Sequence, residues 1–390
     1  MNPEIVKGLA DQLADEVRDI RRTLHANPEL SFKEYETAGY IEEVLDRWGI
    51  SHERVAGTGI TGVVEGDGTG KYMVLRADID ALPIREMNSC DYRSKNDGVM
   101  HACGHDVHTA SLLGTIRILS MIRSDWKGRV RFVFQPGEEL LPGGASKILE
   151  SGLLDHPEPG MILAQHVYPE LPAGSFGFRE GLYMASTDEI YIEIRGVGGH
   201  GALPHRLTDP VLIGSHIVVG LQQIVSRKIP ADIPAVLSFG KFDAAGSTNV
   251  IPATARLEGT FRTMNEEWRG IALDEIRNTA AGIAASMGAT VECRIVPGYP
   301  ALKNDPTLTG LMKKMAAQYA GASQVADLPL RMTGEDFSRY AQRFPAVFYR
   351  LGTGGGRFNN PVHHPEFDID ESSLTAGMGM MAWLGLSWLE

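Results

Sequence analysis

Residues 101–110 read HACGHDVHTA, and five of them can bind a metal or move a proton: His101, Cys103, His105, Asp106 and His108. Cys103 and His105 flank one glycine. In an extended or turn backbone, side chains two apart can point the same way, and Gly104 permits angles that other residues resist. Thiolate and imidazole are both good ligands for zinc and similar divalent ions. A buried free cysteine beside a helix-capping loop is the competing reading, and this stretch alone leaves both open. Glu138 and Glu139 follow the apolar run FVF. Adjacent carboxylates diverge, so one can bind a metal while the other faces water as a general base. A solvated surface pair is the alternative. His166 closes MILAQH, and His363 and His364 lie in NNPVHHPEF. With CGH and EE, these segments supply the five ligands that two metals sharing a bridge would need.

Something must bring these segments together. TGVVEG near 61, YMVLRADI at 72, RVRFVFQ at 129, MILAQH at 161 and AVFYRLG at 346 read as buried strands, mostly separated by helical patterns. Alternation of this kind predicts a mostly parallel α/β sheet. YMVLRADI runs into Asp78 and Asp80, RVRFVFQ into Glu138 and Glu139, and MILAQH ends at His166. Ligands in such sheets sit outside the carboxyl ends of the strands, so three ends point at one cleft. HACGHD, opening a helix, can contribute to it. Asp106 suits that helix N-terminus, and His101 and His108 fall to supporting roles. Residues 184–297 break the rhythm. Their order βαββαβ is that of a ferredoxin-like α+β unit inserted into an α/β domain made of 1–183 and 298–390.

With 390 residues, two domains are expected. The net charge of −12 argues against a nucleic-acid partner. The three cysteines form no framework, which favours a reducing, cytoplasmic setting. The N-terminus reads as an amphipathic helix with Ile5, Leu9, Leu13, Val17, Ile20 and Leu24 near one face. SSLTAGMGMMAWLGLSWL reads as a buried terminal helix and not a membrane span. GTGITG spells GxGxxG, but a strand and turn follow it where a dinucleotide site needs a helix. GTGGG at 352–356 reads as a flexible loop. GxSxG, HExxH and the P-loop are all missing.

The ordered motifs RADIDALPIRE, HACGHDVHTA, FQPGEE, QHVYP, GGHGALPH, NVIP, GTFRT, GEDFS and VHHPEFDIDE resemble the M20 metallopeptidase family, subfamily D, over essentially the whole chain. That subfamily holds aminoacylases, hippurate hydrolases and auxin-conjugate amidohydrolases. The resemblance implies a zinc-peptidase-like catalytic domain with an inserted lid and dimerisation domain. It also implies a binuclear centre of Zn, Mn, Co or Ni, bridged by Cys103 and completed by His105, Glu139, His166 and His363. Glu138 would be the general base. Here Gly137 stands where the family often has Ala.

In GGHGALPH, His200 and His205 sit beside glycines. The resemblance implies that His200 helps hold the developing oxyanion. Asn249, Arg262 and His205 are candidates to bind substrate, Arg262 through the donor fork that matches a carboxylate. A structural arginine on a strand is its competitor. Asp80 is the expected hydrogen-bond partner that orients a ligand. The expected activity is metal-dependent hydrolysis of N-acyl amino acids by a homodimer or homotetramer, with no nucleic-acid or membrane partner. A dipeptidase or an N-acetyldiaminopimelate-type deacetylase is the alternative within the family. An inactive metal-containing binding protein is the alternative from another class, and the intact CGH and EE argue against it.

Overall fold

The strand Tyr72–Asp78 is buried along almost its whole length, as a parallel strand covered on both faces should be. It lies in an eight-stranded sheet with the order His52–Val55, Gly59–Glu65, Arg129–Gln135, Tyr72–Asp78, Met161–Pro172, Ala346–Gly354, Phe176–Phe178, Val325–Asp327. The four strands from Arg129–Gln135 to Ala346–Gly354 run parallel. Antiparallel pairings flank them, at Gly59–Glu65 on one side and Phe176–Phe178 on the other. This computed structural model describes all 390 residues. The chain divides into two compact units: Met1–Gly181 with Lys303–Pro329 and Asp336–Glu390, and Leu182–Leu302 with Leu330–Glu335.

In the first unit, helices Pro3–Ala26, His105–Met121 and Ser372–Leu389 pack on one another. The last is buried along most of its length, including Met378, Met380, Leu384 and Leu386. No helix is long and apolar enough to cross a membrane. The N-terminal helix buries Val6, Ala10, Leu13, Val17, Ile20 and Leu24. Ile5, expected on that face, is 50% exposed, because the 3.6-residue period carries Val6 inward instead. Two further readings need correction. The strand bearing His166 continues to Pro172. Gly352–Gly354 are the buried end of a strand, not a loop. A Cβ on Gly352 or Gly354 would lie 2.1 or 1.8 Å from a carbonyl oxygen of the neighbouring strand.

The second unit carries a four-stranded sheet, in the order Ala235–Asp243, Thr254–Thr263, Asp188–Arg195, Thr290–Pro297, with every neighbour antiparallel. Helices Pro210–Gln223 and Glu266–Ser286 pack together on it. The first helix starts where Asp209 accepts hydrogen bonds from the Val211 and Leu212 amides, with Pro210 at the first helical position. Its core is made of Ile190, Ile192, Ile194, Ile217, Leu221 and Ile276. The order is that of the ferredoxin-like unit read from the sequence. A separate two-stranded ribbon pairs Gly199–His200 with Val250–Ile251.

Candidate metal centre

Gly104 sets the site's first corner. Its φ is +80°, and a Cβ there would lie 2.6 Å from Val167 Cγ2, so only glycine fits. The turn ends the loop at Cys103 and starts the helix at His105. Cys103 Sγ lies 3.5 Å from His166 Nε2. The ligand atoms of Cys103, His105 and His166 lie within 4.8 Å of one another, and so do those of Cys103, Glu139 and His363. Cys103 belongs to both groups. His363 is held by its amide donating to Ala102 O at 2.7 Å, in a left-handed conformation with φ 68°. Such a conformation costs on the order of 1–3 kcal/mol and persists where the surroundings enforce it.

Asp80 orients two members of the set at once. His105 Nδ1–H donates to Asp80 O at 2.9 Å and Oδ1 at 3.1 Å, and the Glu139 amide donates to Asp80 Oδ2 at 3.0 Å. That turns His105 Nε2 toward Glu139 Oε1, 3.9 Å away. His363 Nε2 approaches the same oxygen at 3.3 Å. Glu138 is buried at 6% exposure, and the Asp336 amide donates to its Oε1 at 3.4 Å. The loop carrying both glutamates is pinned by buried Glu34, which accepts the Gly137 amide at 2.8 Å. Gly137 has φ +58°, and a Cβ there would lie 2.3 Å from the Phe32 ring.

The residues fit a divalent cation on two observations. His105 Nε2 and Glu139 Oε1 are buried without a hydrogen-bond partner, which is costly unless something satisfies them. The local field also calls for positive charge. Cys103 and then Glu139 push His363 up to about 10. Burial opposes protonation of His105, yet Asp78 and Cys103 carry it well above the imidazole range. Burial, then Arg350 and His108, hold His166 well below that range, leaving a neutral ring suited to coordination.

Asp106, His108 and His101 take supporting places, but the buried partner of Asp106, Arg21, was not legible in the sequence. Asp106 does sit in the first helical turn, but it is fully buried and paired with Arg21 at 2.8 Å and His25 at 2.8 Å. Burial alone would raise its carboxyl. Arg21 and His25 overcome that and hold it far below the carboxylate range. Asp106→Ala leaves Arg21 buried and short of a counter-charge, and should cost on the order of 3 kcal/mol of stability, read by urea unfolding of the metal-free chain. An unchanged midpoint would remove this pair as the anchor of the helix. His108 bonds to Asp78 and to the Val167 amide. His101 is buried with neither ring nitrogen partnered, and burial pushes it down to about 4. His364 is not in either ligand group and accepts the Glu366 amide.

In the second unit, the ribbon register places His200 opposite Val250, and the Gly201 amide donates to Asn249 O at 2.8 Å. His200 and Asn249 are therefore neighbours. His205 follows in a short 3-10 turn, Pro204–Arg206, and is exposed. Arg262 is half-buried on Thr254–Thr263. Burial lowers its pKa and only Asp188 opposes this from a distance.

Comparison with known proteins decides the family. The model of peptidase family M20/M25/M40 matches residues 74–384. The chain belongs to this family. An N-acetylcysteine deacetylase from Bacillus subtilis is 41% identical over 374 residues, covering 95% of this chain and 96% of that one. An N-acyl-L-amino acid amidohydrolase from Geobacillus stearothermophilus is 41% identical over 300 residues, covering 77% of this chain and 80% of that one. A solved Bacillus subtilis structure, described as a dinuclear metal binding peptidase of the M20 family, superimposes with a TM-score of 0.83 at 37% identity, covering 97% and 99%. The M20 fold thus accounts for the eight-stranded sheet and the additional α+β unit.

Proposed function

We propose that this M20-family chain is a metal-dependent hydrolase that cleaves the amide bond of N-acyl amino acids, giving a carboxylate and the free amino acid. One observation carries the reading: Cys103 is common to two ligand groups, and Glu138 stands beside them with His105 and Glu139. Cys103 would bridge two divalent ions, one completed by His105 and His166, the other by Glu139 and His363. Thiolate and imidazole suit Zn, Co and Ni, and the carboxylate admits Mn. Bound there, two ions supply Lewis-acid charge to a water and to the scissile carbonyl.

The chain's own residues do the rest. Glu138 accepts a proton from the attacking water and delivers it to the leaving amine nitrogen, held meanwhile by the Asp336 amide. Asp80 keeps His105 in the tautomer that presents Nε2. His200 is assigned to the developing oxyanion on the resemblance of GGHGALPH, with Asn249 and His205 beside it on the same ribbon and turn. Arg262 suits the substrate's carboxylate, since its half-buried guanidinium has no acid in contact to compete.

Arg262→Ala should raise KM for N-acyl amino acids roughly 10–100-fold, the loss of a charge-assisted pair. The matching N-acyl amino acid amides, which lack the carboxylate, should be indifferent to the change. Equal losses on both substrates would make Arg262 a structural arginine. A dipeptidase is the second reading, favoured by the solved relative described as a peptidase. Rates on acetyl, benzoyl and indoleacetyl amino acids against dipeptides separate the two.

A further inference from the structure

Arg76 is 1% exposed and takes no part in the chemistry above. Its guanidinium reaches Asp78, Asp336 and Gln135 at once. Nη1–H donates to Asp78 Oδ2 at 2.6 Å, Nη2–H to Asp336 Oδ1 at 2.7 Å, and Nε–H to Gln135 Oε1 at 3.0 Å. Two chains of hydrogen bonds leave this cation, and each ends on a different working part of the site.

The first chain runs toward a metal ligand. Asp78 Oδ1 accepts His108 Nδ1–H at 2.5 Å, and His108 Nε2 accepts the Val167 amide at 2.9 Å. Val167 O in turn accepts His166 Nδ1–H at 2.8 Å. The His108 and His166 rings lie 4.5 Å apart, so a tilt of one is felt by the other. The second chain runs toward the base. The Asp336 carboxylate also accepts Gln135 Nε2–H at 2.8 Å and the Ala145 amide at 2.9 Å, which fixes its backbone. The Asp336 amide is the group that meets Glu138 Oε1.

Burying one guanidinium between two carboxylates is a poor way to gain stability, because desolvation offsets most of the attraction. It is a good way to fix directions. Arginine's planar fork sets the angle between its partners, whereas a lysine ammonium would not. We propose that Arg76 is a positioning residue that keeps the ligand His166 and the base Glu138 in register. This rests on the functional reading for Glu138, but its metal branch can be read without turnover.

The test uses the cobalt-loaded full chain, with Arg76→Lys, Asp336→Asn and His108→Gln. Each is measured for thermal midpoint, Co2+ affinity, visible Co2+ spectrum, kcat and KM. Arg76→Lys should disturb both branches: kcat falls about 10–100-fold with KM nearly unchanged, Co2+ affinity weakens about 10–100-fold, and the spectrum shifts. Asp336→Asn keeps the shape and breaks the base branch, so kcat falls while affinity and spectrum stay at parent values. His108→Gln keeps an acceptor for Val167 but severs Asp78, so affinity and spectrum change. If Arg76→Lys does not fold, the other two still separate the branches. A folded Arg76→Lys with parent kcat and spectrum overturns the proposal. So does an Asp336→Asn spectrum shifted as far as that of His108→Gln. Failure of the hydrolase reading shows differently, as a parent chain that binds Co2+ but turns over no amide.

Discussion

Glu138→Gln should leave a folded chain with its full metal content and a kcat lowered by about 10²–10⁴-fold, the range of general acid–base catalysis. Glutamine has the same shape and still offers an oxygen to the Asp336 amide, which donates to Glu138 Oε1 at 3.4 Å. It cannot accept a proton from water at neutral pH. Glu139 cannot substitute, because its Oε1 faces His105 and His363. KM should change little, since the carboxylate acts on the water and the leaving nitrogen. Near-parent turnover in this variant would remove Glu138 as the base.

Cys103→Ala should be the more damaging change for metal. Cys103 is common to the Cys103–His105–His166 and Cys103–Glu139–His363 groups, so its loss weakens both at once. Removing His363, which is 51% exposed at its side chain, should affect one group only. Metal analysis after dialysis is therefore expected to find less than one ion per chain in Cys103→Ala. About one should remain in His363→Ala, the count its intact group would hold. Full occupancy in Cys103→Ala would contradict the shared ligand. The buried thiol makes the same point electrostatically: burial, then Glu139, push it up, so a thiolate there needs cationic neighbours.

The parts of this site that lay in short motifs could be read before the fold was known. CGH stands out as a candidate because a glycine between thiol and imidazole lets both face one point, although the sequence leaves a structural cysteine open, and Gly104 is indeed required by Val167. Glu138 and Glu139 stand out because two acids after FVF need a reason, with a solvated surface pair as the alternative. The strands and the βαββαβ order followed from apolar runs and their spacing. What the sequence hid is the support from far along the chain. Arg21, in an ordinary amphipathic helix, is the partner of Asp106, 85 positions away. Arg76 and Asp336 are 260 positions apart. No local period marks such pairs, because their reason is a charge that only folding buries. RADIDALPIRE and GEDFS contain Arg76 and Asp336, and for that pair those motifs were the signal available. Ile5 and the glycines at 352–354 misled for a related reason: propensity names a residue's habits, while neighbouring strands and helices decide its exposure.

The central claim is that Cys103 joins two ions into one hydrolytic centre. The most direct measurement is metal content per chain, taken on the purified protein alongside hydrolysis of N-acetyl and N-benzoyl amino acids, before and after chelation. The account predicts about two ions per chain, hydrolysis abolished when they are stripped, and recovery only as the second ion returns. Full activity with one ion per chain, or hydrolysis that survives complete chelation, would contradict it.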